Sequence, residues 1–207
     1  MKRVIAASLA ILAATAPAFA DGPFAGWGRA AIPPSPVVRA VTLDPRTTAL
    51  LLLDFVSQTC SAATRPTCLA TIPHVARLLA RARAAHATII YSYVLSGTMT
   101  DVNPALRPLP GEAAVQSGPD KFLHTDLAAL LRKDGIKTVI ITGTAAEGAV
   151  LATASEAAYR GYRVVLPYDG MSSRHEYAHQ YVAWDLLNAP AVGPHTTLTR
   201  LDLISFR

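Results

Sequence analysis

The chain has 207 residues, enough for one domain with a substantial core and too few for two. With 51% hydrophobic and only 16% charged residues, it is globular and not disordered. The formal net charge of +5 comes from scattered basic residues, with Arg77, Arg81 and Arg83 as a small cluster. No basic run interleaves with aromatics, so the charge points to solubility and not to nucleic-acid binding.

The N-terminus reads Lys2-Arg3, an apolar stretch from Val4 to Ala16, then Pro17-Ala18-Phe19-Ala20. A basic start, a short apolar core and a small-x-small ending predict a secretory signal peptide over residues 1–20, cleaved after Ala20. That stretch is shorter than the roughly 20 residues of a bilayer span, and no later segment is apolar enough for one. A periplasmic or secreted protein without membrane attachment is the expectation. Residues 21–46 carry Gly22, Pro23, Gly26, Gly28, Pro33, Pro34, Pro36 and Pro45, which predicts an extended arm with little regular structure. The folded domain is expected over 47–207.

Thr48 to Phe55 (TALLLLDF) is a continuous apolar run, the mark of a strand buried on both faces of a parallel sheet. Cys60 and Cys68 are the two cysteines; in an exported chain such a close pair predicts a disulfide. A free Cys60 nucleophile is the sharper alternative. Ile72, Val75, Leu78, Leu79 and Ala82 then fall at helical spacing, with Thr71 as N-cap and Pro73 in the first turn. Ala87–Val94 reads as a strand. Residues 95–120 are rich in glycine and proline, with one short strand at Ala113–Gln116, and irregular segments this long are usually functional.

Alternation then resumes. A helix is predicted from about Thr125 to Asp134, ending at Gly135, then a strand at Lys137–Thr142 and a small-residue helix over 146–160 closed by Gly161. A strand at Arg163–Leu166, a helix over 174–188 presenting Tyr177, Tyr181, Trp184 and Leu187, and a strand at Thr196–Thr199 complete the pattern. Strand alternating with helix predicts a three-layer α/β/α fold with a parallel sheet covered on both faces. Sites in such sheets form beyond the C-terminal strand ends at the topological switch point. That rule singles out Asp54, the 95–121 loop, and the turn Gly143-Thr144-Ala145-Ala146-Glu147-Gly148.

Asp54 follows four leucines, so its carboxyl is desolvated and its pKa should rise unless a cation sits nearby. The segment Lys121–Ala154 reads KFLHTDLAALLRKDGIKTVIITGTAAEGAVLATA. Together with Asp54 it resembles the isochorismatase-like (cysteine) hydrolase superfamily over roughly residues 47–200. The family pattern has an apolar strand ending in Asp, matched by Asp54. A Lys before F-x-x-T-x-L is matched by Lys121, Phe122, Thr125 and Leu127. The last element, G-x-x-x-x-x-C-V-x-x-T-A, is matched by Gly143, Val150, Thr153 and Ala154, and Asp169 also agrees.

The resemblance implies a hydrolase of small polar molecules, working without a cofactor and assembling as a dimer or larger. It implies Asp54 and Lys121 as catalytic residues and a non-proline cis bond at Thr144–Ala145. Thr144, Ala145 and Gly148 are implied to bind substrate or a developing oxyanion. Two departures bear on chemistry. Ala149 stands where most relatives have the catalytic cysteine, which removes covalent catalysis. Lys121 sits directly before the phenylalanine, where many relatives place a spacer, so Arg107 on the same loop is the substitute cation. Isochorismatases proper resemble this pattern with a small residue at the cysteine position and use an aspartate acid, which suits a buried carboxyl.

The leading expectation is therefore an exported isochorismatase-family hydrolase using aspartate acid/base catalysis with water as nucleophile. The alternative is a small-molecule-binding pseudoenzyme of the same fold. A third reading takes His175-Glu176-Tyr177-Ala178-His179 as an H-E-x-x-H zinc peptidase motif. It opens the last crossover helix of a parallel sheet and lacks a third-histidine extension, so no metal is expected. His74, His86 and His124 are read as solvent-facing.

Overall fold

The computed structural model describes Gly26, Gly28, Arg29 and residues 31–207. The signal peptide expected over 1–20 and most of the early arm lie outside the described residues. The folded unit begins at Pro36 and runs to Arg207.

In chain order the elements are β1 (Val41–Leu43), β2 (Thr48–Leu53), α1 (Pro66–Ala84), β3 (Thr88–Tyr93) and β4 (Ala113–Gln116). They continue with α2 (Leu127–Lys133), β5 (Thr138–Thr144) and a π-helical turn at Ala146–Val150 that runs into α3 (Leu151–Tyr159). Then come β6 (Arg163–Pro167), β7 (Met171–Ser172), α4 (Glu176–Asn188), β8 (Thr196–Thr199) and β9 (Ile204–Phe206). The main sheet has the order β4-β3-β2-β5-β6-β8, with β7 paired to the end of β5. Every pairing between its strands is parallel.

This order contains one reversal. The chain builds outward from β2 to β3 and β4, returns to lay β5 against the other side of β2, then builds outward again through β6 and β8. The switch point lies between β2 and β5.

Both sheet faces are covered, which is why the strands read as apolar runs without polar alternation. Alternate residues of β2 point to opposite faces. Ala49, Leu51 and Leu53 join Val139 and Ile141 against Leu131 of α2, Ala154 of α3 and Val182 of α4. Leu50, Leu52 and Ile140 pack instead with Ile72, Val75, Leu78 and Leu79 of α1. This is the expected three-layer α/β/α architecture. The Cys60–Cys68 disulfide ties the loop after β2 to the first turn of α1.

Three local expectations are corrected. The first helix starts at Pro66, not after Thr71. Pro66 takes the first-turn position where a missing N–H costs nothing, and Pro73 falls inside the helix on its exposed side, where water can serve the freed carbonyl. The Thr71 hydroxyl donates to the Cys68 carbonyl and caps nothing.

The stripe of α4 that faces the core is Ala178, Val182, Ala183 and Leu186. Tyr177 and Trp184 are 77% and 50% exposed. Small side chains on the inner stripe let the helix approach its neighbours, and the bulky aromatics are rotated outward. Lastly, the arm assigned to 21–46 contains β1, which pairs in parallel with β9, Val41 opposite Ile204.

Candidate active site

Four neighbouring strand ends converge beside the switch point. Asp54 follows β2 directly and takes a left-handed backbone, φ 55°, which turns the chain out of the sheet. Aspartate tolerates that region better than most residues. Its N–H is held by the Ser92 carbonyl and by Ser92 Oγ, each at 3.2 Å. Ser92, on β3, also donates its hydroxyl to Asp54 Oδ1 at 2.7 Å. The second carboxylate oxygen, Oδ2, accepts from Lys121 Nζ at 2.7 Å.

Lys121 comes from the loop after β4 and is wholly buried, while Asp54 is 4% exposed. Its ammonium donates further to the carbonyls of Gly118 at 2.7 Å and Ser117 at 3.3 Å. Every ammonium proton therefore has an acceptor, which a buried charge requires. The loop is fixed from the far side by α3: Thr153 Oγ1 accepts from the Lys121 N–H and donates to the Pro119 carbonyl. The threonine of the sequence motif thus sets where Lys121 stands.

Burial raises the Asp54 pKa; the Lys121 charge, its hydrogen bond and that of Ser92 pull the other way without cancelling the rise. The carboxyl therefore keeps a proton to higher pH than a surface aspartate does.

Beyond the switch point, Gly143 is the β5 partner of Leu53 and has φ 149°. A Cβ there would come within 2.4 Å of the Leu53 carbonyl oxygen, so only glycine lets β5 end so close to β2. The Thr144–Ala145 peptide bond is cis. Ala149 lies in the π-helical turn and is 4% exposed.

The sequence candidates do not all gather. Of the two possible cations, Lys121 is the one on Asp54. Arg107 is exposed beyond the short turn Pro104–Leu106, where its carbonyl accepts from Arg83. The Gly148 N–H already donates to the Ala145 carbonyl, so it is not free for an oxyanion. The Thr144 hydroxyl is buried among Arg65 and Ser172. Asp169 accepts from the Leu201 N–H and pins the chain after β8.

In H-E-x-x-H, His175 precedes α4, and His179 Nε2 lies 3.2 Å from the Met171 carbonyl. Among the described residues no group of three His, Cys, Asp or Glu is placed to hold a metal. Two open depressions of about 560 and 480 Å³ lie toward the opposite, N-terminal strand ends, lined in part by Lys137 and Arg163 and by Thr88 and Ala113.

Sequence reasoning missed Ser92, Arg65 and the carbonyls of Ser117 and Gly118. Ser92 left a faint signal, a small polar residue between the two tyrosines of β3. The carbonyls left none, because any residue type supplies one.

With this geometry in hand, the comparisons decide the family: the isochorismatase domain matches residues 48–198. The chain belongs to the isochorismatase family. A secreted isochorismatase effector from Verticillium dahliae is 31% identical over 116 residues, 51% of this chain and 61% of that protein. A streptothricin hydrolase from Streptomyces noursei is 34% identical over 102 residues, 44% and 40% of the two chains. The matched stretch thus spans less than two thirds of these curated relatives. An isochorismatase-like hydrolase from Alkaliphilus metalliredigens superposes with TM-score 0.68 at 25% identity, covering 75% of this chain and 95% of that one. The nicotinamidase of Staphylococcus aureus shares the fold at TM-score 0.62 and 21% identity, over 69% and 96%.

Proposed function

We propose that this protein is an exported hydrolase of a small polar molecule in which Asp54 moves the proton and water is the nucleophile. The observation that carries the reading is the buried Asp54 carboxyl, held by Ser92 and Lys121 at the switch point. Its raised pKa favours a carboxyl that can donate.

In the cycle, Asp54 first takes up a proton, which its raised pKa favours, and gives it to the leaving atom or to the terminal carbon of a vinyl ether. Water adds to the activated carbon, and the Asp54 carboxylate takes up the proton that this water loses. The bond to the leaving atom then breaks, for a vinyl ether as the hemiketal hydroxyl passes its proton to the departing oxygen, so substrate plus water becomes two products and Asp54 regains the proton it gave. The Lys121 ammonium stabilises the carboxylate between the two transfers, while the Ser92 hydroxyl holds Oδ1.

Export, with cleavage after Ala20, is part of the same proposal. It is supported by the signal-like N-terminus and by the secreted relative. Among the described residues no helix is long and apolar enough to cross a membrane. Assembly into a homo-oligomer is likewise proposed from the family resemblance.

The test is a screen of vinyl ethers, amides, imides and esters against the mature chain and Asp54→Asn. Asparagine keeps the shape and cannot exchange the proton, so turnover should fall about 10²–10⁴-fold. Iodoacetamide should leave wild-type turnover unchanged. Ala149 favours a second reading, a binding protein that has lost the reaction. That reading stands if no compound is turned over and a cysteine introduced by Ala149→Cys reacts with iodoacetamide no faster than a surface cysteine.

A further inference from the structure

Arg65, the residue before α1, is fixed by one end of its guanidinium. Nη1 donates to the Thr59 carbonyl and to Thr144 Oγ1, both at 2.9 Å. Those two partners adjoin the site already described. Thr59 donates its hydroxyl to the Asp54 carbonyl, and Thr144 is the residue before the cis bond. The other edge of the guanidinium, Nε with Nη2, makes no hydrogen bond among the described residues, and Nε is buried.

That edge is the one that matches a carboxylate in two parallel bonds. The protein uses it so elsewhere. Arg46 grips Asp44 through Nε and Nη2 at 3.1 and 2.9 Å. Arg83 grips Glu112 through the same atoms at 2.7 and 2.8 Å.

A second orphan lies nearby. Glu147, two residues before Ala149 in the π-helical turn, has a buried Oε2 with no hydrogen-bond partner. It acts on Arg65 electrostatically, yet no ion pair joins the two among the described residues. An unpaired buried donor and an unpaired buried acceptor within electrostatic reach of each other are each costly to fold unless something completes them. A ligand that completes both must carry a carboxylate for Arg65 and an N–H or O–H donor for Glu147. A bare dicarboxylate would meet repulsion from Glu147. Arg174, which also acts on Arg65, adds positive charge to the same corner.

We propose that Arg65 and Glu147 are the substrate-reading pair of this site. They select a small carboxylate that bears a hydrogen-bond donor on its other end, Arg65 taking the carboxylate and Glu147 the donor. This rests on the hydrolase reading for the word substrate, but the binding it predicts stands without turnover.

The experiment is calorimetric binding to the mature chain, with half-amides of three lengths as probes: malonamate, succinamate and glutaramate. Each is compared with its methyl ester, which lacks the charge, and with the monomethyl ester of the parent diacid, which lacks the N–H donor. At least one half-amide should bind about tenfold or more tighter than both of its analogues, since hydrogen bonds to charged groups are lost in each. Arg65→Lys, which keeps the charge and loses the fork, should bring the preference over the methyl ester below threefold. Glu147→Ala should do the same to the preference over the monomethyl diacid. Asp54→Asn should keep both preferences while losing turnover.

If no half-amide outbinds its methyl ester on the wild-type chain, the proposal is overturned, whether or not the variants fold. It is equally overturned if Asp54-dependent turnover is found and is indifferent to Arg65→Lys. If binding follows Arg65 and Glu147 while Asp54→Asn changes no turnover, the pair is established and the hydrolase reading fails.

Discussion

Lys121→Met isolates the ion pair on which the site is built. Methionine has nearly the volume of the lysine stem, so packing changes little, but Asp54 Oδ2 loses its donor at 2.7 Å and the Ser117 and Gly118 carbonyls lose theirs. Because Lys121 is 0% exposed, water does not replace the ammonium. Removing one partner of a buried pair costs about 3–5 kcal/mol. Asp54 has one escape, which is to take up a proton. For a carboxyl of ordinary pKa, neutralisation costs about 4 kcal/mol at pH 7 and about 1.5 kcal/mol at pH 5.

The charge-related loss is therefore capped near 4 kcal/mol at pH 7 and shrinks by about 2 kcal/mol or more at pH 5. The sign follows from linkage. A carboxyl whose folded pKa lies above its unfolded value binds more protons when folded, so stability falls as pH rises through that window. The wild-type chain has the same sign, since burial already raises Asp54, and losing Lys121 enlarges the effect.

The assay is urea unfolding of the mature chain at pH 5 and pH 7 with the disulfide intact. Asp54→Leu combined with Lys121→Met removes both charges and should recover most of the loss. A loss below about 1 kcal/mol, or one equal at both pH values with additive single changes, would refute the buried-pair argument.

Gly143→Ala should destabilise by about 3 kcal/mol, because its Cβ meets the Leu53 carbonyl oxygen at 2.4 Å. Gly118→Ala, with open space around the new methyl group, is the control for the same unfolding measurement and should change little. Replacing Cys60 and Cys68 by serine should lower stability by about 2–3 kcal/mol through the lost loop constraint, and thiol titration of the denatured wild type should find no free thiols. Intact-mass measurement of the exported protein should give a chain beginning at Asp21, and recovery of the full 207 residues would refute cleavage.

Sequence alone determined the elements whose partners it encodes locally. Apolar runs such as TALLLL and the strand after Lys137 announce burial on both faces, and burial on both faces requires helices on each side. Asp54 was legible for the same reason: a carboxyl ending such a run has no water to face. The motif singled out Lys121, whose ammonium the structure sets on Asp54.

What sequence did not determine depended on residues far apart in the chain. β1 and β9 are three residues each and exist as strands only because Val41 finds Ile204. Local spacing suited two stripes of α4, and the approach of the neighbouring elements chose the alanine-rich one. Pro66 and Pro73 both fit a first turn and both are exposed, and α1 starts at the one that stands first. Arg107 and Lys121 were interchangeable cations on one loop until Thr153 fixed the backbone of Lys121 and turned its ammonium onto Asp54. Arg65 carried no motif at all. Its open edge comes from Thr59 and Thr144, a short-range and a long-range partner that only the folded chain brings together.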